Sequence, residues 1–159
     1  TFRPARATKR SQAVAMLWHL MDEPVASRRP FSDVAATASY APAVDWAVAG
    51  GLIAGFGDGT FRPKDPVTRA QLVAMIWRMV GRPTVTTHHA YTDTRPGAGY
   101  QAALDWAANL GLVDDTADTT RFHPRDPATR GVAVTWLYRL VWTADAWSAT
   151  TARPGAILF

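Results

Sequence analysis

The 159-residue sequence predicts a mainly α domain of pseudo-threefold symmetry, with three equivalent helices in a central bundle and a shorter helix ahead of the second and third of them. The first observation behind this is a repeat. TFRPARATKRSQAVAMLWHLMDEP, from Thr1, matches TFRPKDPVTRAQLVAMIWRMVGRP, from Thr60, and the pattern returns as RFHPRDPATRGVAVTWLYRL at 121–140. The second is that the preceding segments also match, FSDVAATASYAPAVDWAVAGGLIAGFGDG from Phe31 against YTDTRPGAGYQAALDWAANLGLVDDTADT from Tyr91, giving a period of roughly 60 residues. The third is that every copy closes on a run with apolar residues at i, i+3, i+4, i+7 and i+8, the signature of one buried helix face. Three such stripes bury one another if their helices meet about a common axis.

In chain order, the first long helix carries Ala13, Met16, Leu17, Leu20 and Met21. Lys9 stands where the other copies have a capping threonine, so this helix either begins at Thr8 or finds another partner for its first donors. YAPAVDWAVAGG, at 40–51, reads as a prong helix with Pro42 in its first turn and glycines at its end. In GFGDGTFRP, Gly55, Gly57 and Gly59 permit positive φ, Asp58-Gly59 favours a tight turn and Pro63 stops any helix. The second long helix starts at Thr68, with Gln71 completing a capping box, and buries Leu72, Met75, Ile76, Met79 and Val80. YQAALDWAANLG, at 100–111, repeats the prong. Thr129 caps the third long helix, where Val132 cannot close the box, and its stripe is Ala133, Trp136, Leu137, Leu140 and Val141. Trp46 and Trp106 read as core of the prong helices.

Composition narrows the function. The chain is long enough for one domain with a real core, and no apolar run reaches the roughly 18 residues that cross a bilayer. TFRPARATKR lacks the organisation of a secretion signal, and the absence of cysteine removes disulfides and thiolate sites. Net charge is +4 with a pI near 10.0, and 15 of the 17 basic residues are arginine. Arginine grips carboxylate or phosphate with a planar fork, so an anionic partner is the first inference; solubility explains the excess charge equally well.

Several classes fall away. The glycine turn lacks the Lys-Ser/Thr ending of a phosphate-binding loop. The basic residues are spread one or two per repeat rather than along a recognition helix, which argues against nucleic acid. Glu23 is the single glutamate, and the His88-His89 pair beside Asp93 reads as loop rather than as a metal site. Asp33 and Asp93 are equivalent by repeat, so they suit two like sites rather than one acid and one base. No catalytic residue, metal or cofactor is expected.

The Phe-x-Asp motif, the Trp-bearing helix, Gly-x-Gly-Asp-Gly-Thr-Phe-Arg-Pro and Thr-Arg-Ala-Gln before a helix, in that order, resemble the S-layer homology repeat. The resemblance covers 1–141, as a partial first repeat at 1–30, a second at 31–83 and a third at 91–141, with 142–159 a C-terminal tail. It implies a non-enzymatic, three-pronged domain that anchors surface proteins to a secondary cell-wall polysaccharide through grooves between prongs. The implied partner carries pyruvate ketals, as on a pyruvylated amino sugar; the implied location is extracellular, at the cell wall or S-layer, with no nucleic-acid partner and no membrane insertion.

Carried over by position, the groove residues are Asp33 and Asp93 of the Phe/Tyr-x-Asp motif, Arg62 of the Phe-Arg-Pro turn, and Arg69 and Arg130 of the Thr-Arg motif. Gly55 would let a sugar approach the backbone, and Arg3 and Arg10 match Arg62 and Arg69 in the opening half-repeat. The chain departs from the family at His123, which replaces the turn arginine, and at Gln12, Gln71 and Val132, which replace its glutamate. An arginine at a helix start would meet a ketal carboxylate together with the helix dipole. Asp33 and Asp93 read equally as helix caps.

The grooves are expected to be unequal. Gly55, Gly57 and Gly59 correspond to Asp115, Ala117 and Thr119, and Asp114, Asp115 and Asp118 put negative charge in the third copy. Arg69 is therefore expected to carry the working contact, and Arg130 to matter much less. A protein-assembly module without a polysaccharide ligand is the alternative reading. Because the first repeat is incomplete, the chain reads as a piece of a longer surface protein. Its tail, with Trp142 and Trp147, is expected to pack on the domain, or the incomplete repeat to be filled by self-association with another copy.

Overall fold

The structure, a computed structural model, describes residues 3–27 and 31–143. It has five helices: α1 (Arg10–Leu20), α2 (Ala41–Ala49), α3 (Arg69–Met79), α4 (Gln101–Asn109) and α5 (Arg130–Trp142). Among the described residues there is no sheet, only isolated bridges, so the class is mainly α as the repeat pattern predicts. The long helices α1, α3 and α5 each open on an arginine, and α2 and α4 are the prongs. Packing is heaviest between α1 and α2 and between α3 and α4, so a long helix takes the prong of the next repeat as its main partner. Leu17, Val44, Leu72, Ile76 and Leu104 are completely buried in these contacts, each contributing about 1.5–3 kcal/mol.

The long helices meet at their N-terminal ends, where the threefold relation is drawn in backbone hydrogen bonds. Thr8 N–H donates to the Ala128 carbonyl (2.8 Å), Ala128 N–H to Val67 (2.9 Å) and Val67 N–H back to Thr8 (2.9 Å), a closed ring. The helices' first free donors are met in the opposite cyclic order, each by the turn of the next repeat. Arg10 and Ser11 N–H reach the carbonyls of Asp65 and Pro63, Arg69 and Ala70 those of Asp126 and Pro124, and Arg130 and Gly131 those of Arg6 and Pro4. This settles how α1 starts without a capping threonine: Lys9 is the N-cap, Gln12 Oε1 accepts its N–H (3.0 Å), and the next repeat's turn supplies the remaining acceptors. In α3 the full Thr68–Gln71 box forms, and in α5 only Thr129 contributes.

Thr8, Val67 and Ala128 are all inaccessible to solvent, and the Thr8 hydroxyl has no hydrogen-bond partner among the described residues. A buried, unpaired hydroxyl costs about 1–3 kcal/mol, whereas the equivalent Val67 position carries a methyl there. Thr8→Val is expected to stabilise the fold by about 1–2 kcal/mol, read as a higher urea midpoint at unchanged slope. An unchanged or lowered midpoint would mean that the hydroxyl is satisfied.

The third helix differs from the other two. All five stripe residues of α3 are buried, but on α5 Leu137 and Val141 are half-buried, and Val134, Tyr138 and Trp142 are 45%, 61% and 71% exposed. The Tyr138 and Trp142 rings lie 5.8 Å apart. At the positions equivalent to Tyr138, Trp18 and Trp77 instead donate their indole N–H to the Pro24 (3.0 Å) and Pro83 (2.9 Å) carbonyls of the chain that follows each helix. Residues 144–159, with Trp147 and most of the tail, lie outside the described residues.

Candidate functional site

The turn between prong and long helix is built around a residue in the left-handed region, and that residue is not a glycine. Arg62 and His123 both have φ 57°; of Gly55, Gly57 and Gly59 only Gly59 has a positive φ (77°). The aspartate of each Phe/Tyr-x-Asp motif holds this conformation. Asp33 accepts the N–H groups of Phe61 (2.8 Å) and Arg62 (2.7 Å), and Asp93 those of Phe122 (2.9 Å) and His123 (2.8 Å). Neither aspartate caps a helix; both clamp the turn. Burial alone would raise the Asp93 pKa, but the two backbone donors outweigh it and hold the carboxyl below its ordinary value. Asp58, exposed, is lowered to about 2, first by the Thr60 hydroxyl and then by Arg62, which donates to it at 2.9 Å.

Gly55 is required for a reason internal to the protein. A Cβ there would overlap the Phe31 ring, so the close approach expected of a sugar is made by the chain's own phenylalanine.

Arg10 crosses from the first repeat to the turn of the second. Its Nε donates to the Phe61 carbonyl (2.9 Å) and Nη2 to the Ala54 carbonyl (3.3 Å), while the guanidinium lies 5.0 Å from the centres of both the Phe56 and Phe61 rings. Burial, opposed chiefly by Asp65, lowers its pKa without threatening its charge. No carboxylate pairs with it directly among the described residues. The guanidinium borders a groove of about 390 Å³ assembled from three repeats: Ala54 and Phe56 from the turn, Met75 and Arg78 from α3, and Tyr100 at the start of α4. Two arginines and two aromatic rings line it, and no acid does. A shallower depression continues past Phe56 to Arg82, and a larger cleft with Arg95, Arg121, His123 and Arg125 adjoins it across Ala70 and Tyr100.

Arg69 occupies the same place one repeat on, in different surroundings. Its Nε donates to the Phe122 carbonyl (2.8 Å), as Arg10 does to Phe61, but Nη1 and Nη2 are both engaged by Asp115, at 2.7 and 3.0 Å. The pair is almost wholly buried, with side-chain exposures of 6% and 9%, and the Phe122 and Trp136 rings lie 5.1 and 5.0 Å from the guanidinium. The negative charge foreseen in the third copy is therefore directed inward at Asp115, and it engages the arginine expected to carry the working contact. Arg10, with no such partner among the described residues, is the first-turn arginine that borders an acid-free groove.

The other expected residues are scattered around this framework. Arg62 lies over Phe56 at 3.9 Å; Arg3 is exposed, and its carbonyl accepts the Arg6 N–H; Arg130 is half-buried, its backbone N–H bound to Arg6. With two first-turn donors of each long helix already bonded to the neighbouring turn, the helix N-termini are not open anion sites, contrary to the dipole contribution expected above. Trp106 is buried and Trp46 half-buried, as core of their prongs. The His88 side chain donates to the buried Asp105 (2.7 Å), which also accepts from His89 N–H and Gln101. Sequence reasoning missed Phe56, Arg78 and Tyr100. Tyr100 adjoins a motif that was read only for its helix; Phe56 carries the sharper signal, a large apolar side chain flanked by glycines in a solvent-facing turn.

Residues 30–73 match the family described as the S-layer homology domain. Among curated proteins, the chain is 28% identical over 153 residues to Cell surface glycoprotein 1 of Acetivibrio thermocellus, covering 87% of this chain and 7% of that protein. It is 27% identical over 136 residues to Cell surface protein of Thermoanaerobacter kivui, covering 82% of this chain and 18% of that one. A shorter match, 29% over 79 residues, covers 50% of this chain and 4% of an amylopullulanase of Thermoanaerobacterium thermosulfurigenes. The chain thus spans less than a fifth of the length of each relative.

Proposed function

Because this chain carries an S-layer homology domain, a module of cell-surface proteins implying anchorage to the cell envelope, we propose that it binds an anionic, pyruvylated secondary cell-wall polysaccharide in the Arg10 groove. The binding would hold a surface protein non-covalently at the cell wall or S-layer, and the module itself performs no catalysis. The observation that carries this reading is the groove's composition: Arg10 and Arg78 with Phe56 and Tyr100, and no acidic side chain. A ketal pyruvate offers a planar carboxylate, which a guanidinium meets with charge-assisted hydrogen bonds, while an aromatic face covers the apolar side of a sugar ring. The adjoining clefts suit a polymer, since Arg82 lies beyond one end and Arg95, Arg121 and Arg125 beyond the other.

In this reading Asp33 and Asp93 position the turn, and Arg62 holds Phe56 from the solvent side. Titration of the chain with pyruvylated polymer and with the same polymer stripped of ketal tests the proposal. Strong preference for the pyruvylated form is expected, weakened only in part by moderate salt because the contact is half-sheltered.

A second reading, assembly with another protein surface, has one observation in its favour: the exposed Val134, Tyr138 and Trp142 face of α5. If that face drives self-association, Trp142→Glu should lower the weight-average mass in sedimentation without altering polymer binding. A chain already monomeric at high concentration would exclude this contact.

A further inference from the structure

Arg10 and Arg69 are equivalent by repeat and by their shared bond from Nε to a turn carbonyl, yet where Asp115 grips Arg69 the second repeat has Gly55, packed against Phe31, and no carboxylate on Arg10 among the described residues. We infer that Asp115 is an internal occupant of the third repeat's carboxylate site, so that this groove is closed by the chain itself and opens to an external carboxylate when Asp115 is replaced by glycine. The inference rests on the reading that the Arg10 groove takes a carboxylate, and it sharpens that reading by naming the group and the grip.

The geometry carries it. The two Asp115 oxygens lie 2.7 and 3.0 Å from the two terminal nitrogens of Arg69, the paired arrangement by which a free carboxylate would be held. Trp136 Nε1 donates to the same carboxylate at 3.2 Å, and its ring stacks on Phe122, 6.2 Å between centres, so the occupant is walled in as well as paired. In the second repeat the residues that close the site are different. Gly55 replaces Asp115, Met75 replaces Trp136, and Phe56 replaces Thr116, leaving an aromatic ring at the groove surface. Arg139 donates to the carbonyls of Gly111, Leu112 and Asp114, whereas the equivalent Arg78 shares only the bond to Leu52, the counterpart of Leu112. An ordinary structural ion pair would account for Asp115 and Arg69 alone. It does not account for the carboxylate arising at the position of a glycine in the sister repeat, where the equivalent Arg10 has no carboxylate of its own among the described residues and borders an acid-free groove.

The first test is chemical rescue. Thermal unfolding of Asp115→Gly is followed in sodium acetate and in sodium chloride at equal ionic strength, with the wild-type chain alongside. Acetate is expected to raise the variant's Tm progressively above its value in chloride, and to leave the wild type unaffected by the exchange of anion. Equal responses of the two chains overturn the inference.

Binding of pyruvylated wall oligosaccharide then separates the inference from the reading beneath it. The expected result is a gain of one bound equivalent for Asp115→Gly, or for Asp115→Gly/Trp136→Met, over wild type. A variant that gains a site while the wild type binds nothing sustains the inference and removes the Arg10 reading; a wild type with one site and variants with no gain do the reverse. If the variants do not fold, guanidinium NMR of the wild-type chain decides. Acetate should shift the Arg10 Nε–H resonance and not that of Arg69, and a comparable shift at Arg69 would overturn the closure.

Discussion

Arg10→Ala is expected to weaken binding to pyruvylated wall polysaccharide by about 10- to 150-fold, the equivalent of one charge-assisted hydrogen-bonded contact of roughly 1.5–3 kcal/mol. A smaller loss of stability should accompany it, because Arg10 is buried and its Nε bond to the Phe61 carbonyl is lost. The protein bonds that Arg10 makes are to two carbonyls, one buried and one part-buried, and no buried carboxylate is left behind when the side chain is removed. Arg10→Lys should recover little, because an ammonium cannot donate in the same plane to the Phe61 carbonyl and to a ligand. Isothermal titration of the folded variants measures it, and near-wild-type affinity for Arg10→Ala would place the ligand elsewhere.

Arg69→Ala should act in the opposite way, on stability first. Removing the guanidinium strands Asp115, whose side chain is 9% exposed, beside Trp136 and Phe122. Breaking a buried pair from one side costs about 3–5 kcal/mol, a large part of the stability of a domain this size. Urea unfolding of Arg69→Ala, Asp115→Ala and the double variant checks it. The double variant is expected to be less destabilised than the sum of the singles, because it leaves no uncompensated charge. Additive losses would mean that the two side chains act independently despite their 2.7 Å contact.

The repeat made the architecture legible. Three equivalent arginine-led helices, two prongs and the capping box at Thr68 follow from periodicity and from residue types whose preferences are local. The ring through Thr8, Val67 and Ala128 was implied by the symmetry but carries no side-chain signal, since its bonds are backbone to backbone.

The surroundings of the expected site residues were less legible than the architecture. Asp33 and Asp93 are conspicuous as acids at one position of two copies, yet their carboxylates hold turn N–H groups, because Arg62 and His123 adopt a left-handed conformation that no glycine advertises. Gly55 was read as room for a ligand and is room for Phe31. Asp115 was recognised as negative charge in the third copy; that it folds back onto Arg69 depends on a contact 46 residues away in sequence, which no local pattern encodes.

Titration of wild type and Arg10→Ala against the same wall polysaccharide, with and without its ketal pyruvate, tests the anchoring mechanism most directly. If Arg10 receives the carboxylate, removing either partner weakens binding by about 10- to 150-fold, and removing both costs little more than removing one. Equal affinity of the wild type for the two polymers, or losses that simply multiply, would contradict it.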